Sequence, residues 1–234
     1  MGHDLRIEQV NIQAVILSMR GSFMLKFREK LHVSFFIAVD GAGCPVIAAQ
    51  GFTSRQDEDC FSRLLHDLAN AKQGAPVVIF TDGDAAMKKA IENIFPLCTH
   101  LLCLWHLLQN FIKNMSKKLR GTHLHLRECV GMFLSATKAT SQKDFNVKWQ
   151  ELKAACVDIE EAHNYINYLE SFKEKFANYR RLTLPTRGLA STQMVESSFS
   201  SFKRRVGPKA KWESINDFYI CVKDHVAEQV CFDF

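Results

Sequence analysis

The stretch from Pro76 to Phe80 constrains the fold of this chain more than any other. It is a short unbroken apolar run, Pro-Val-Val-Ile-Phe, and it ends in the polar segment Thr-Asp-Gly-Asp at residues 81–84. Strands with this pattern are buried on both faces, as the central strands of α/β sheets are. A helix is predicted directly after it, from Ala85 to Phe95, and Pro96 ends that helix.

Strand and helix patterns alternate through the first half of the chain. The predicted strands cover residues 14–19, 31–39, 45–52, 76–80 and 100–105. The glycine-rich turn at residues 40–43 favours an antiparallel hairpin between the second and third strands. The order of these elements predicts an α/β fold with a mixed sheet covered by helices.

From about residue 107 to residue 182 the apolar spacing is helical throughout, and two further helices are predicted at about 192–206 and 213–230. We therefore predict an α/β core at residues 1–120, an all-helical insertion at 121–186, and a returning core helix with a C-terminal helix at 187–234.

Charge is unevenly distributed along the chain, although the formal net charge of +5 is modest. Between residues 171 and 211 the lysines and arginines are opposed only by Glu174 and Glu196. Such a basic segment is typical of proteins that bind a phosphate backbone, and a solvated basic face is the alternative. The candidate DNA-contacting residues follow Glu196 without an intervening acid: Lys203, Arg204, Arg205, Lys209 and Lys211.

The cysteines predict a reducing, intracellular setting. All eight are scattered, mostly among apolar neighbours, and no Cys-x-x-Cys pair occurs. This spacing favours free thiols over a disulfide scaffold. The N-terminus lacks a signal-peptide pattern, and no apolar run approaches the ~20 residues that a membrane helix needs.

Asp82 is the first candidate site residue. Ligand sites in open α/β sheets lie at the carboxyl ends of strands, where Asp82 follows the central strand. An aspartate there can instead cap the next helix, but Asp84 immediately precedes that helix and fits the capping role better.

Cys103 and His106 form a Cys-x-x-His pair that could supply half of a zinc site. No second pair of recognisable spacing follows, so a structural role at the end of the fifth strand is the alternative. A further alternative is a metal-dependent or thiol-dependent enzyme, unrelated to DNA-binding proteins, that uses Cys103 and His106.

Glu196 is the third candidate, within the segment Ser-Thr-Gln-Met-Val-Glu-Ser at residues 191–197. It lies in the first turns of a predicted helix, where a glutamate also interacts favourably with the helix dipole. As nearly the only acid in the basic stretch, it is expected to have a basic partner or a metal.

Three segments in this order resemble the transposase domain of Mutator-like elements (MULEs), which is shared by the transposase-derived far-red-response proteins of plants. The matching segments are FTDGDAAMKKAI at 80–91, HLLCLWH at 100–106 and STQMVES at 191–197, and the resemblance covers roughly residues 14–206.

The resemblance implies a ribonuclease H-like fold with an acidic DDE triad, whose helical insertion separates the second aspartate from the glutamate. Asp82 then corresponds to the second aspartate, Glu196 to the glutamate, and Cys103 with His106 to the Cys-x-x-His of the family. It also implies that these carboxylates hold two Mg²⁺ or Mn²⁺ ions for phosphodiester cleavage and strand transfer, the chemistry of DNA transposition and recombination.

The sequence departs from the family at its first aspartate, because Gly21 occupies that place and Asp40 belongs to the predicted hairpin turn. We therefore expect impaired catalysis in a nuclear protein whose partner is double-stranded DNA at transposon ends. A domesticated, non-catalytic module that binds DNA in transcriptional regulation is the alternative. A homodimer is compatible with either function, and a small-molecule substrate is expected for neither.

Overall fold

The computed structural model describes residues 15–24, 30–39, 45–72 and 75–186, together with positions 204, 216, 217, 220 and 224. The chain divides into two compact units. The sheet unit comprises Met1–His100 with Thr192–Phe234, and the helical unit comprises Leu101–Ser191. The predicted boundaries at residues 120 and 186 stay a prediction. None of the helices in the described segments is both long and apolar enough to cross a membrane.

Five strands form one sheet in the order β3-β2-β1-β4-β5. β1 pairs antiparallel with β2 and parallel with β4, and β2 pairs antiparallel with β3, so the predicted α/β class with a mixed sheet is confirmed. The strands are β1 (Val15–Met24), β2 (Lys30–Val39), β3 (Pro45–Thr53), β4 (Val78–Thr81) and β5 (Thr99–Leu102).

Two predicted strand ends were wrong. β1 continues past residue 19 to Met24, because its pairing with β2 runs as far as Met24 opposite Lys30. Gly21 therefore lies inside β1, opposite Val33 of β2. β5 ends at Leu102 rather than at residue 105, because the next helix already begins at Leu104.

The sheet unit contains two helices, α1 (Glu58–Lys72) and α2 (Ala85–Ile94), in its described segments. Asp57 caps the start of α1, because its carboxylate accepts a hydrogen bond from the Cys60 N–H at 3.0 Å. This hydrogen bond lowers the pKa of Asp57. A Cβ on Gly51 of β3 would meet Leu64 of α1 at 2.1 Å, so a glycine is needed where helix and strand approach closely. The core of this unit is mixed aliphatic and aromatic, and includes Phe36, Ala38, Phe61, Leu65, Leu68, Ile79, Met87, Ala90, Ile91 and Phe95.

The helical unit contains α3 (Leu104–Lys118), α4 (Leu126–Thr137), α5 (Gln142–Ala155), α6 (Glu160–Glu170) and the short α7 (Asn178–Arg181). A 3₁₀ turn at Lys173–Lys175 precedes α7. Helical structure was predicted here from the three- and four-residue apolar spacing, and it is confirmed over the described part of this unit.

Aromatic rings dominate the core of the helical unit. Phe111 of α3 stacks on Phe133 of α4 with ring centroids 4.2 Å apart. Phe145 and Trp149 of α5 stack at 5.2 Å, and Phe176 packs 5.9 Å from the Trp149 ring. All five side chains are essentially inaccessible to solvent. Such offset ring pairs add to the stabilisation that burial of apolar area provides.

Candidate functional site

Asp82 follows a strand that is buried at every position. The four residues of β4, Val78–Thr81, are all buried, and the chain becomes half-exposed at Asp82. The Asp82 carboxylate accepts a hydrogen bond from the Asp84 N–H at 3.3 Å, which closes a short turn. The sequence places Asp82 correctly at the carboxyl end of a buried strand, as expected for a ligand site in such a sheet.

The two residues after Asp82 build the turn into α2. Gly83 has φ of 88°, a left-handed conformation that favours glycine. Asp84 is the N-cap of α2, and its carboxylate accepts a hydrogen bond from the Met87 N–H at 2.9 Å. The prediction that Asp84, rather than Asp82, caps α2 is therefore confirmed.

A buried polar pair lies immediately before Asp82. Thr81 Oγ1 and His100 Nε2 are 2.8 Å apart and hydrogen-bonded, and both side chains are buried. Thr81 Oγ1 also accepts a hydrogen bond from the Gly83 N–H at 3.3 Å. The pair thus connects the end of β4 and the Asp82 turn to β5. Sequence reasoning noticed His100 only as a neighbour of Cys103, because nothing in the sequence indicates that β4 and β5 are adjacent.

The residues of β1 decide whether a metal pair fits beside Asp82. β1 and β4 run parallel, and Leu17 of β1 lies opposite Phe80 of β4. Continued by two residues along both strands, this register brings Met19 level with Asp82. Gly21 is level with neither Phe80 nor Asp82 in this register. The ten residues of β1, Val-Ile-Leu-Ser-Met-Arg-Gly-Ser-Phe-Met, contain no carboxylate, so no shift of register places an aspartate there. The described residues at this edge do not fit a two-metal site, which needs bridging carboxylates.

Cys103 and His106 lie at the start of α3 rather than at the end of a strand. Cys103 is the N-cap residue and is buried, and its carbonyl accepts a hydrogen bond from the Leu107 N–H at 3.0 Å. The His106 ring contacts the Trp105 ring edge-on at a centroid distance of 4.8 Å. Within residues 15–186, gaps at 25–29, 40–44 and 73–74 aside, no three His, Cys, Asp or Glu side chains are grouped to hold a metal ion. A zinc role for Cys103 and His106 therefore stays a prediction.

Arg181 is a buried cation that sequence reasoning assigned to the basic surface. Its side chain is only 2% exposed, and a guanidinium N–H donates to the backbone carbonyl of Leu102. Burial lowers the pKa of Arg181 to about 10, with neighbouring Cys103 acting in the opposite direction, so the group stays charged at neutral pH. Arg181 holds the end of β5 where α3 begins.

The start of the predicted basic stretch is largely used within the protein. Arg180 pairs with Glu174 at 2.8 Å, and Lys173 donates to the Asn146 side chain at 3.3 Å. Together with the burial of Arg181, these contacts engage three of the cations at residues 173–181 with groups inside the protein. Arg204 is helical and exposed, as a DNA-contacting residue requires. The other candidates lie outside the described residues: Glu196, Lys203, Arg205, Lys209 and Lys211.

The comparison with protein families confirms the predicted resemblance. Residues 24–110, which include β2 to β5, Asp82 and the Cys-x-x-His pair, match the family described as MULE transposase domain. Over these residues the chain is similar to the transposase domain of Mutator-like elements.

More particularly, the chain is similar to transposase-derived plant proteins. It is 21% identical over 215 residues to Protein FAR-RED IMPAIRED RESPONSE 1 of Arabidopsis thaliana, a match covering 90% of this chain and 25% of that protein. It is 23% identical to Protein FAR1-RELATED SEQUENCE 4 of the same plant, over 97% of this chain and 31% of that protein. Protein FAR1-RELATED SEQUENCE 5 is 32% identical over 38% of this chain and 11% of its own length. The chain therefore spans a third or less of each of these relatives.

One solved structure is also similar, though weakly. A chain in the simian T-cell lymphotropic virus intasome bound to PP2A regulatory subunit B56 gamma is 15% identical, with a TM-score of 0.30. The match covers 56% of this chain and 50% of that one.

Proposed function

We propose that this chain is a transposase-derived domain that binds duplex DNA and has impaired or absent strand cleavage. Support comes from the match to the MULE family and from the sheet order, in which β1 lies between antiparallel β2 and parallel β4. That order agrees with the ribonuclease H-like core implied by the resemblance. DNA is the proposed partner because the relatives derive from transposases, and the nucleus is then the proposed location.

The observation that carries this proposal is the composition of β1. A two-metal nuclease site needs carboxylates on neighbouring elements, because each divalent ion must be held by several oxygen ligands. Asp82 follows β4, yet the adjacent strand β1 contains no aspartate or glutamate. Mg²⁺ or Mn²⁺ is therefore expected to bind weakly even if Glu196 approaches Asp82 from outside the described residues.

Residual metal-dependent cleavage is the second candidate function. It is favoured by the preservation of Asp82 at the end of β4, where Asp84 alone caps the next helix. Acidic sites in such sheets lie at the carboxyl ends of strands, where Asp82 is found, so cleavage needs a direct test.

An assay that scores binding and cleavage in the same samples distinguishes the two functions. The purified chain and an Asp82→Ala variant are incubated with duplex DNA carrying terminal inverted repeats, with Mn²⁺ or with a chelator. The proposal predicts retention of the duplex by both proteins under both conditions and no cleavage above background. Cleavage by the unmodified chain that Asp82→Ala abolishes would establish the second function instead. Failure of the unmodified chain to bind any duplex at low salt would refute the DNA-binding proposal itself.

A further inference from the structure

A second basic surface lies on α3, in a part of the chain that the sequence analysis did not single out. No aspartate or glutamate occurs between Glu92 and Glu128, an interval that includes the whole of α3. Lys113, Lys117 and Arg120 are exposed and follow one another at four- and three-residue spacing. Side chains at four-residue spacing lie one above the other on a helix, so Lys113 and Lys117 form a row, which Arg120 extends just beyond the end of α3. These three residues are called here the α3 basic face.

The cations of the α3 basic face are not neutralised within the described part of the chain. Lys118 pairs with Glu161 at 3.8 Å, whereas none of the three residues of the face makes an ion pair with a described residue. Elsewhere in the helical unit, Lys153 pairs with Glu170 at 2.8 Å. No described acid therefore neutralises the charge of this face.

Interaction with the helix dipole of α3 explains the position of only one of these three cations. Lys117 lies in the last helical turn, where a cation interacts favourably with the helix dipole. Lys113 lies a full turn earlier and Arg120 lies beyond the end of α3, so the dipole effect, which fades within the last turn, does not account for them.

The opposite charge is collected on other helices of the same unit. α6 begins with Glu160 and Glu161, while Glu151 lies on α5 and Asp158 precedes α6. Acidic residues are thus segregated from α3, whose formally charged side chains are all basic, whereas α5 carries both lysines and acids. Segregation of this kind creates a local positive potential that the modest net charge conceals.

We propose that the α3 basic face contacts the phosphate backbone of duplex DNA, an inference that rests on the proposed function, in which DNA is the partner. Lys113 and Lys117 are separated by about 6 Å along the helix axis, so both can reach successive backbone phosphates. Gln109 and Trp105 continue the row towards the start of α3, and Trp105 is 38% exposed. Glutamine and an exposed aromatic ring beside lysines suit sugar and phosphate contacts better than they suit a purely solvated face.

Salt-dependent binding measures the contribution of this face directly. Lys113→Gln/Lys117→Gln is compared with Lys138→Gln/Lys143→Gln, which removes the same charge from two exposed lysines elsewhere in the helical unit. Fluorescence anisotropy with a labelled duplex gives the affinity over a range of salt concentrations. We expect the first variant to bind about tenfold more weakly at low salt and its log–log salt slope to fall by about 2, with little change in the control.

The outcomes separate this inference from the proposed function. Binding by the unmodified chain that both variants weaken equally would overturn the α3 contact and leave DNA binding intact, since only net charge would matter. No duplex binding by the unmodified chain would overturn both proposals. If Lys113→Gln/Lys117→Gln altered self-association in sedimentation without altering DNA affinity, the face would contact a second copy of the chain, and the DNA contact would be refuted.

Discussion

The sheet unit and the helical unit place their polar groups differently. In the sheet unit, the buried pair Thr81 and His100 is hydrogen-bonded to the turn that carries the half-buried Asp82 and Asp84. In the helical unit, the buried Arg181 donates to the Leu102 carbonyl inside the unit. These polar residues of the sheet unit are thus grouped around the end of β4, while Arg181 of the helical unit joins α7 to the end of β5.

The helical unit also shows that a basic sequence segment is not the same as a basic surface. Arg180 and Arg181 belong to the strongly positive stretch, yet one is paired with Glu174 and the other is buried. Lys113 and Lys117 belong to a stretch that the sequence analysis did not single out, yet they are exposed and unpaired with any described acid. The α3 basic face, rather than residues 173–181, is therefore the surface on which we propose DNA contacts.

The largest expected effect is loss of an aromatic ring from the helical core. Phe133→Ala should destabilise the protein by about 3–5 kcal/mol, because a fully buried ring that stacks on Phe111 is replaced by a cavity. Urea denaturation followed by circular dichroism measures the change. The control Val147→Ala, at a side chain that is 53% exposed, should change stability by about 0.5 kcal/mol or less. Equal effects of the two substitutions would refute the assigned core.

A smaller loss of stability is expected when the hydrogen bond between Thr81 and His100 in the sheet unit is removed. Thr81→Val should cost about 1–3 kcal/mol, because it removes the hydroxyl that is hydrogen-bonded to the buried His100 ring. Thr81→Ser keeps that hydroxyl and serves as the control in the same denaturation experiment. If valine and serine were tolerated equally, the Thr81–His100 bond would contribute nothing to stability.

Alkaline pH should destabilise each unit through partly buried groups, Cys98 and Tyr165 among them, with the smallest effect near neutrality. Burial raises the pKa of Cys98 in the sheet unit from 9.0 to about 12, and that of Tyr165 in the helical unit from 10.0 to about 12. Each group keeps its proton in the folded state where the unfolded chain loses it. The stability they contribute is therefore complete below pH 9 and decreases between pH 9 and 12.

Single substitutions divide this pH dependence between the units. Cys98→Ala should flatten the decrease that begins near pH 9, and Tyr165→Phe the decrease that begins near pH 10. Thermal denaturation across this range measures both. A pH profile that neither substitution alters would mean that other groups are responsible for alkaline unfolding.

The sequence predicted much of the sheet unit because its signals are local. The apolar run at β4 and the Asp84 cap depend on a few neighbouring residues, and both predictions are confirmed. The length of β1 could not be predicted from residues 20–24, since Arg20, Gly21 and Ser22 interrupt the apolar pattern and only pairing with β2 keeps them extended. The bond between Thr81 and His100 depends on which strands are adjacent, and that is a tertiary property.

Arg181 shows the same limit in the helical unit. Arginine is rarely buried, so sequence reasoning places it on the surface unless a buried acceptor is known. The acceptor here is the Leu102 carbonyl, distant in sequence and brought close only by the packing of the unit. Glu196, Lys203, Arg205, Lys209 and Lys211 lie outside the described residues, so their predicted roles stay predictions.

The central claim is that duplex DNA is bound without a metal-dependent acidic site, because β1 has no carboxylate to place beside Asp82. Calorimetric titration of Mn²⁺ into the DNA-bound chain and into its Asp82→Asn variant tests this claim most directly. The account predicts equally weak, non-saturating Mn²⁺ binding by both proteins and a duplex affinity that a chelator does not change. Saturable Mn²⁺ binding by the unmodified chain that Asp82→Asn abolishes would contradict it.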